Sequence, residues 1–560
     1  MKKKILPVLV VTCLIIVIAI VGVISSMIEK YTPSDERMDG KEYFQLQSDE
    51  EAALIVNGTL AEEKVKLMDG RFYVDEDTVG KYISSRFYWD EKRERMLYTL
   101  PTEVIEIVPG TKSYTTSEGT TNTDYIILHT AEDTFFVDLE FVNEFSAMEY
   151  EVYEQPARVV VHTGTQEVLV VKAKKDASIR EKGGIKSLIV DDVEKGEVLY
   201  LEEAMENWTR VSTEDGYTGY IENEYLSDSE TVSLTIEKEF PEYTSIQKDY
   251  KINLAWHQVT SMNANNTLQS AIEGTQGLNT ISPTWFSVIK NDGTISSLAS
   301  ATYVEQAHAA GLEVWGLIDN FSSNTDTLTF LSDTAARKHI IEQLIAEAKR
   351  VNMDGINLDF ESITVSQAPH YVQFIRELSI ACRLNQLVFS IDVPVPRGNS
   401  RYNFKEQGIM ADYVIIMGYD EHTGRSEEAG SVASIGFVKE GITDMLKSVP
   451  AEKVINAIPF YTRVWIESFG GGISSEILGM DGAQNYIRQN GMDVYWHEGS
   501  GQNIATLEGD NAIYTIWVED NLSIAEKMKL IKEYHLAGVA SWKLGFQNNS
   551  VWEVIAEYLK

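Results

Sequence analysis

The sequence has few cysteines and prolines, and it lacks basic residues relative to acidic ones. Its 560 residues include two cysteines, Cys13 and Cys382, together with 12 prolines and 37 glycines. Two isolated cysteines exclude a disulfide framework and a cysteine-based zinc site, and the glycine and proline content excludes a fibrous or disordered chain. Lysine and arginine number 48 against 85 aspartates and glutamates, a formal net charge of −37. Because a nucleic acid binds a basic surface, a nucleic-acid partner is excluded.

One long uncharged run is present, near the N-terminus. Residues 5–27 carry no charge and follow Lys2, Lys3 and Lys4. A helix of this length crosses about 30 Å of hydrocarbon, and the preceding lysines favour the cytoplasmic side. We therefore expect residues 1–28 to form a single-pass anchor in the cell membrane, with the bulk of the chain extracellular. A cleaved signal peptide, whose apolar core is typically about 7–15 residues, is the alternative.

Three segments follow the apolar run. Residues 29–50 are polar and acidic, which predicts a juxtamembrane spacer. Residues 51–164 contain short β-rich runs, and their segment GRFYVDEDTVGKYISSRFYWDEKRERMLYTL resembles the α+β copper amine oxidase N-terminal-like domain. No histidine or cysteine cluster that could hold copper accompanies it. Residues 165–229 predict five or six short strands.

The end of that third segment, TEDGYTGYIENEYLS, resembles the close of a bacterial Src-homology-3-type (SH3-type) β-barrel. Modules of this kind in exported proteins often contact peptidoglycan, and a spacer role is the alternative. The acidic residues 230–245 predict a linker. The N-terminal half is thus expected to hold an α+β module and a small all-β barrel that contact cell-wall peptidoglycan.

From residue 246 onward, strands alternate with helical segments. This alternation is typical of βα units, and eight such strands predict a closed (β/α)8 TIM barrel over residues 246–560. The stretch from Val464 to about Asp520 is too long for one connection and predicts a small inserted α+β lobe. The predicted strands are Ile252–Trp256, Thr280–Ser282, Glu313–Ile318, Gly355–Glu361, Val388–Asp392, Tyr413–Tyr419, Val454–Pro459 and Val539–Trp542.

The most informative motif is the octapeptide Asp354-Gly-Ile-Asn-Leu-Asp-Phe-Glu361. Its alternation puts Asn357, Asp359 and Glu361 on one face, which in a barrel strand points inward. Two carboxylates facing the interior are costly to bury unless they share a proton or bind a ligand. They also fall at the carboxyl end of the strand, where barrels keep their active sites. The motif therefore predicts a catalytic carboxylate pair.

The octapeptide resembles the DxxDxDxE signature of glycoside hydrolase family 18, the chitinase-type barrels. Other family motifs occur in the same order as in the family. SPTWFSV near residue 282 and VWGLIDNF near residue 314 are most similar to the spore-cortex branch, which cleaves peptidoglycan. The further matching motifs are Met417-Gly-Tyr-Asp420, Ile458-Pro-Phe-Tyr461 and Gly538-Val-Ala-Ser-Trp542.

The resemblance implies roles for individual residues. Glu361 would be the general acid, Asp359 would stabilise the reacting acetamido group, and Tyr419 would position it. Further substrate contacts are implied for Asn357, Met417, Asp420, Tyr461 and Trp542. No cofactor and no metal are expected, because His257 and His422 lack metal-ligand spacing.

One position departs from the family pattern. Asn357 stands where most chitinases have an inner aspartate, and an amide can hydrogen-bond Asp359 but cannot take up its charge or proton. The expected function is membrane-tethered hydrolysis of β-1,4-linked N-acetylglucosamine polymers, peptidoglycan or chitin-like, by substrate-assisted retaining catalysis. The alternatives are a catalytically weak, lectin-like sugar-binding barrel and a scaffold between membrane and wall.

Overall fold

The protein divides into two compact units. The structure, a computed structural model, describes residues 5–131, 134–236, 238 and 242–560. Lys2, Lys3 and Lys4, from which the membrane orientation is predicted, lie outside the described residues. The first unit consists of Met1–Phe87, Ile107–Tyr114 and Thr121–Phe240, and the second of Tyr88–Glu106, Thr115–Thr120 and Pro241–Lys560.

The N-terminal run forms one helix, Ile5–Tyr31. Its segment Leu9–Tyr31 has a mean hydropathy of 2.9, and its side chains are exposed. The helix is therefore long and apolar enough to cross a membrane or to act as a signal sequence.

The predicted spacer is part of the first unit rather than a free connection. The backbone N–H of Ser34 donates to the carbonyl of Ile185 at 2.7 Å, and that of Met38 to Ile189 at 2.9 Å. A short helix, Gly40–Tyr43, follows, and the next residue, Phe44, is buried. The few apolar side chains of this acidic segment dock on the unit's core, which its average composition did not indicate.

The first unit contains two seven-stranded sheets. One carries the helices Glu76–Tyr82 and Leu139–Phe145, each begun by an aspartate that accepts backbone N–H groups. Its strands, in spatial order, are Met148–Glu154, Ala157–Thr163, Glu51–Val56, Thr59–Met68, Arg71–Asp75, Thr134–Asp138 and Leu128–Ala131.

The second sheet holds the six strands that lie between residues 165 and 229 and one strand from the predicted linker. That extra strand, Glu230–Leu234, pairs antiparallel with Gln166–Lys172. The assignment of the two segments to module families stays a prediction. The spatial order is Ile189–Val193, Ala177–Arg180, Thr218–Glu222, Trp208–Ser212, Val198–Ala204, Gln166–Lys172 and Glu230–Leu234.

The second unit includes a segment from the N-terminal half, Tyr88–Glu106, which we call the cover segment. Asp90 accepts hydrogen bonds from the backbone N–H and the hydroxyl of Thr334, at the start of a barrel helix. Tyr88 Oη lies 3.3 Å from Arg337 Nη1, and Arg337 is fully buried. The barrel unit therefore extends beyond the predicted residues 246–560. The strands that fall between residues 87 and 122, where the division between the two units interrupts the chain, are Phe87–Asp90, Arg95–Thr99, Val104–Ile107, Ser113–Thr116 and Gly119–Asn122.

Eight parallel strands form a closed barrel, as predicted. The last strand pairs with the first and with the seventh, and the first also pairs with the second, so the ring has no open edge. A short antiparallel strand, Ile295–Ser297, extends the second barrel strand. The barrel strands are β1 (Ile252–His257), β2 (Thr280–Val288), β3 (Glu313–Asp319), β4 (Gly355–Asp359), β5 (Val388–Pro394), β6 (Tyr413–Met417), β7 (Val454–Pro459) and β8 (Gly538–Trp542).

Two apolar clusters stabilise this barrel, one on each face of the strands. Ile356, Leu358 and Phe360 pack outward against the helices, as the alternation predicts, while Trp256 and Leu317 fill the interior. The surrounding helices are Leu268–Ala271, Ala301–Ala309, Thr327–Leu331, Thr334–Val351, Ala368–Leu384, Phe404–Met410, Ile435–Met445, Asn521–Glu533 and Val551–Tyr558.

The predicted inserted lobe is present after β7. It is a five-stranded antiparallel sheet with the helix Met480–Asn490 packed on one face. In spatial order its strands are Ile473–Gly479, Tyr461–Ser468, Ala512–Val518, Gln502–Glu508 and Asp493–His497.

Candidate active site

A cavity of about 460 Å³ opens at the carboxyl ends of the barrel strands. Seven of the eight predicted site residues line it, and Asn357 is fully buried beneath it. The lining residues are Trp256, Phe321, Asp359, Glu361, Asp392, Pro394, Val395, Arg397, Met417, Tyr419, Asp420, Phe437, Tyr461 and Trp542.

Glu361 lies two residues beyond the end of β4, whereas the sequence predicted it within the strand. The side chain of Asn320 holds its backbone: Glu361 N donates to Asn320 Oδ1 at 3.0 Å, and Asn320 Nδ2 donates to the Glu361 carbonyl at 3.1 Å. These bonds replace the strand ladder and fix the backbone at the rim of the cavity. Asn320 lies in the segment VWGLIDNF, which resembles the family, but its contact with Glu361 joins two neighbouring strands and is not evident from a local pattern.

Burial raises the pKa of the Glu361 carboxyl, and the nearby Asp420 and Asp319 raise it further. Burial is the largest of these effects. A carboxyl with a raised pKa stays protonated closer to neutral pH, where it can donate a proton.

Asp359 is 7% exposed and points into the cavity from the end of β4. Burial raises its pKa well above the ordinary value, and Asp392, Glu361 and Asp319 add to the effect. Its buried Oδ1 atom accepts no hydrogen bond from any residue in the described part of the chain. This oxygen is free to accept a hydrogen bond from a bound ligand.

Asn357 does not hydrogen-bond Asp359, contrary to the sequence interpretation. Its Nδ2 donates instead to Asp392 Oδ1 at 2.8 Å. Its Oδ1 accepts from Trp256 Nε1 and from Ser282 Oγ, both at 2.9 Å. Those two donors fix the orientation of the amide, so its N–H group faces β5.

The motif after β6 forms one wall of the cavity. Tyr419 lies two residues beyond the strand, not within it as predicted, and Gly418 lets β6 approach β7, because a Cβ atom there would lie 2.6 Å from the Ala457 carbonyl. Asp420 has a left-handed backbone (φ 61°) and accepts a hydrogen bond from the Tyr461 hydroxyl. Burial raises the pKa of Tyr419 well above 10, so its hydroxyl stays protonated as a donor.

Aromatic rings form another part of the lining. The rings of Trp256 and Trp542 lie 5.8 Å apart at 57°, and both border the cavity. Trp285 and Trp315, which also fall near strand ends, are fully buried and donate to Asn265 and Glu313. Trp256 and Trp542 can therefore contact a ligand, whereas Trp285 and Trp315 pack in the interior of the protein.

The two histidines near the barrel rim are satisfied by protein groups. His257 lies 2.8 Å from the Tyr303 hydroxyl and 3.1 Å from Thr267 Oγ1, and burial lowers its pKa to about 4. His422 Nδ1 donates to the carbonyl of Ser431. Across the described residues, no group of three histidine, cysteine, aspartate or glutamate side chains could hold a metal ion.

The sequence interpretation missed several lining residues, above all Asp392. The sequence pattern that could have identified Asp392 is the alternation on β5. Ser390 and Asp392 are polar, while Ile391 and Val393 belong to the outer apolar cluster. Phe321, 56% exposed at the rim, and Arg397 lie on loops, where no periodic pattern predicts orientation.

A larger groove, about 650 Å³, lies in the first unit. Its polar lining includes Lys41 and Asp49, an exposed ion pair with a 2.6 Å separation. Exposed ion pairs contribute little and carry no reactive chemistry. The candidate active site is therefore the barrel cavity, which combines buried carboxyls with aromatic rings.

Comparison with known proteins agrees with this assignment. Over 297 residues the chain is 28% identical to the "Uncharacterized glycosylase YvbX" of Bacillus subtilis, covering 50% of this chain and 85% of that protein. It is 24% identical over 237 residues to the cortical fragment-lytic enzyme of B. subtilis, covering 40% of this chain and only 54% of the relative. The crystal structure of the Bacillus cereus spore cortex-lytic enzyme SleL has the same fold, with a TM-score of 0.51, 21% identity, and coverage of 58% of this chain and 78% of that one.

The sequence model of "Glycosyl hydrolases family 18" matches residues 257–547. The match begins at the end of β1 and continues past β8, so it includes every cavity-lining residue except Trp256, together with the inserted lobe. Because this match spans more than half of the chain, the protein belongs to family 18 of the glycosyl hydrolases and is a glycosidase.

Proposed function

We propose that the protein is a membrane-tethered extracellular glycosidase that hydrolyses β-1,4-linked N-acetylglucosamine polymers, with peptidoglycan as the substrate. The observation that carries the proposal is the convergence of Asp359, Glu361, Tyr419 and Trp542 on one cavity. The similarity to cortical fragment-lytic enzymes supports peptidoglycan over chitin.

The proposed mechanism is substrate-assisted. Protonated Glu361 donates its proton to the glycosidic oxygen as the bond to C1 breaks, and the acetamido oxygen of the same sugar attacks C1. Family 18 is an exception to the two-carboxylate rule, and intramolecular attack avoids an entropic cost of several kcal/mol. Water then attacks C1 and loses a proton to Glu361 while the bond between C1 and the acetamido oxygen breaks, which restores the acetamido group and releases the β-anomer.

Three further groups serve this reaction. The free Oδ1 of Asp359 accepts the acetamido N–H and balances the positive charge that develops there. The Tyr419 hydroxyl donates to the acetamido oxygen and aligns it with C1. Trp542, with Trp256 beside it, stacks against the C–H face of the sugar.

The first prediction tests this mechanism with defined substrates. The full chain in detergent should hydrolyse N-acetylchitooligosaccharides and vegetative or cortex peptidoglycan, and NMR should detect the β-anomer as the first product. The matched glucose oligosaccharide, which lacks the acetamido group, should be inert. Rapid hydrolysis of the glucose oligosaccharide or an α-anomeric first product would exclude substrate assistance.

A sugar-binding barrel without turnover is the second candidate, and the observation that favours it is Asn357 in place of the signature aspartate. Calorimetry separates the two candidates. Tight binding of N-acetylchitooligosaccharides together with no detectable product in a day would support the lectin-like function.

The second prediction concerns location, and it depends on the exposed apolar side chains of Leu9–Tyr31. Protease added to intact, wall-stripped cells should degrade everything after this helix, while a cytoplasmic marker protein stays whole. Full protection of the chain, or its recovery in the soluble medium with the helix removed, would contradict a membrane tether.

A further inference from the structure

Asp392 is a buried carboxyl in the cavity to which the mechanism above gives no role. It is 2% exposed, and it lines the cavity at the carboxyl end of β5. Ser390, two residues earlier, shares its inward face. A carboxyl in such a place is costly to keep ionised, so it needs a proton or a partner.

Asp392 lies beside Asp359 on the neighbouring strand. The parallel ladder between β4 and β5 pairs Leu358 with Ile391, so the next step brings Asp359 level with Asp392. Adjacent strands are about 4.8 Å apart, and both side chains point inward. Two carboxyls this close in a desolvated site cannot both ionise easily, so one proton is held between them.

The hydrogen bonds of Asn357 direct this arrangement. Because its Oδ1 is occupied by Trp256 and Ser282, its Nδ2 must face Asp392, to which it donates at 2.8 Å. Asn357, at the position that carries an aspartate in the family signature, is thus an uncharged residue that joins Trp256 and Ser282 to Asp392 by hydrogen bonds. The carboxyl that the signature places on β4 is present here on β5.

Acidic and aromatic side chains from several elements surround the Asp359–Asp392 pair. Acidic groups outnumber cations among them, so the surroundings disfavour a second negative charge on the pair. Arg397, the cation in the cavity lining, is ion-paired with Glu440 and about half exposed. The groups are Asp319 on β3, Glu361 after β4, Tyr371 and Tyr402 from the helical layer, Tyr419 and Asp420 after β6, and Trp256 on β1.

We propose that Asp392 is a positioning residue that replaces the carboxyl missing at Asn357 and shares one proton with Asp359 across strands β4 and β5. This inference rests on the proposed function. In the free enzyme the proton bridges the two carboxyls. When positive charge develops on the acetamido nitrogen, the proton passes from Asp359 to Asp392, which leaves Asp359 as the anion, and it returns when the product forms.

The test compares the full-length protein with three variants: Asp392→Asn, Asn357→Asp and the double variant carrying both. The substrate is 4-nitrophenyl N,N′-diacetylchitobioside. Asp392→Asn should lower kcat by about 10²-fold with KM within about threefold, because the sugar contacts remain. Asp359 then has no neighbouring carboxyl to take its proton, and burial raises its pKa, so the acidic limb of the pH–rate profile should move to higher pH.

The double variant restores one carboxyl on β4 in place of that on β5, and it should recover at least a tenth of the wild-type kcat. Asn357→Asp alone should not increase the rate. The control Ser390→Ala changes the same inward face of β5 and should leave kcat and the profile unchanged.

Three results would overturn the proposal: unchanged kcat and profile in Asp392→Asn, a loss that the double variant does not rescue, or a large gain from Asn357→Asp alone. If the wild type shows no turnover, the proposed function fails separately. Infrared spectroscopy can then still detect the proton shared by Asp359 and Asp392. The band of protonated carboxyl groups at neutral pH should be weaker in Asp392→Asn than in Ser390→Ala. Equal bands would refute the shared proton.

Discussion

At the scale of single residues, the surroundings of each carboxyl decide whether it donates a proton or carries charge. Glu361 is half-buried among other acids, and Asp359 is almost fully buried beside Asp392. Both have raised pKa values, although they lie only two residues apart on the same strand end. Each carboxyl therefore keeps its proton to a higher pH than an exposed carboxyl would, which favours a reaction that begins with protonation of a leaving group.

The third prediction concerns Glu361. Glu361→Gln removes the proton donor but keeps the shape, so kcat should fall by about 10³-fold while the dissociation constant for an N-acetylchitooligosaccharide changes by less than about threefold. In the wild type, kcat/KM should fall as the pH rises through the raised pKa of Glu361, because the acid must be protonated. Steady-state kinetics and calorimetry measure the two effects.

The control for this prediction is Glu342→Gln, an exposed glutamate on the helix Thr334–Val351, which should have wild-type activity. A Glu361→Gln variant within tenfold of the wild-type kcat would disprove the general-acid assignment.

The sequence predicts the part of the site that depends on one strand. Alternation in the octapeptide correctly orients Asn357 and Asp359 inward, and Ile356 and Leu358 outward. It does not predict which neighbour each polar atom contacts, because those neighbours lie on other strands. The direction of the Asn357 amide depends on Trp256, about a hundred residues away, and so lies beyond any local pattern.

At the scale of elements, the inserted lobe joins the barrel through a buried ion pair. Glu519 follows the lobe strand Ala512–Val518, and Lys527 lies on the next barrel helix. Both side chains are essentially unexposed, with Nζ–O distances of 3.0 and 3.1 Å. Ser523 and Gln502 also donate to Glu519, so every oxygen of this buried carboxylate is bonded.

The fourth prediction follows from that pair. Lys527→Met leaves Glu519 buried and uncompensated, so the free energy of unfolding of the barrel unit should fall by about 3–5 kcal/mol. Urea unfolding followed by tryptophan fluorescence measures it. The matched control is Lys529→Met on the same helix, whose exposed pair with Glu526 should contribute less than about 1 kcal/mol.

A further variant distinguishes lost pairing from lost packing. Adding Glu519→Gln to Lys527→Met removes the unpaired charge and should restore part of the stability. Equal stability of the two Lys variants would show that the buried pair is not important to the fold.

Eight barrel strands are evident from the sequence because each is an apolar run followed by a helical pattern. Their ends are less predictable. Glu361 leaves the ladder because Asn320 binds its backbone, and Gly418, before Tyr419, lies against the Ala457 carbonyl; both contacts depend on tertiary structure. The contact of Asp90 with Thr334 joins residues 244 apart in sequence, a separation at which composition and periodicity carry no information.

At the scale of the whole molecule, the net charge of −37 governs the approach of charged polymers. Peptidoglycan, the proposed substrate, carries peptide carboxylates, so the enzyme and its substrate repel each other at low salt. The screening length falls from about 30 Å at 0.01 M salt to about 8 Å at 0.15 M.

The fifth prediction follows. The value of kcat/KM on peptidoglycan should rise several-fold, roughly three- to tenfold, between these two salt concentrations, because screening removes the repulsion. Hydrolysis of a neutral N-acetylchitooligosaccharide in the same buffers is the control and should change little. A fall in the peptidoglycan rate with salt would indicate that attraction to a local basic patch governs the encounter.

The cover segment limits where the chain can be cut to separate the barrel from the N-terminal region. A gene cut at the predicted linker would encode all eight barrel strands and yet omit residues that complete the surface of the barrel helices. Arg337 would lose its contact with Tyr88, and the start of its helix would lose the Asp90 carboxylate. An excised barrel would therefore expose the guanidinium of Arg337, which is fully buried in the intact chain, while its ion pair with Glu377 on a barrel helix would remain. Exchange of the N-terminal region between relatives would therefore have to keep the cover segment matched to the helix surface that it contacts.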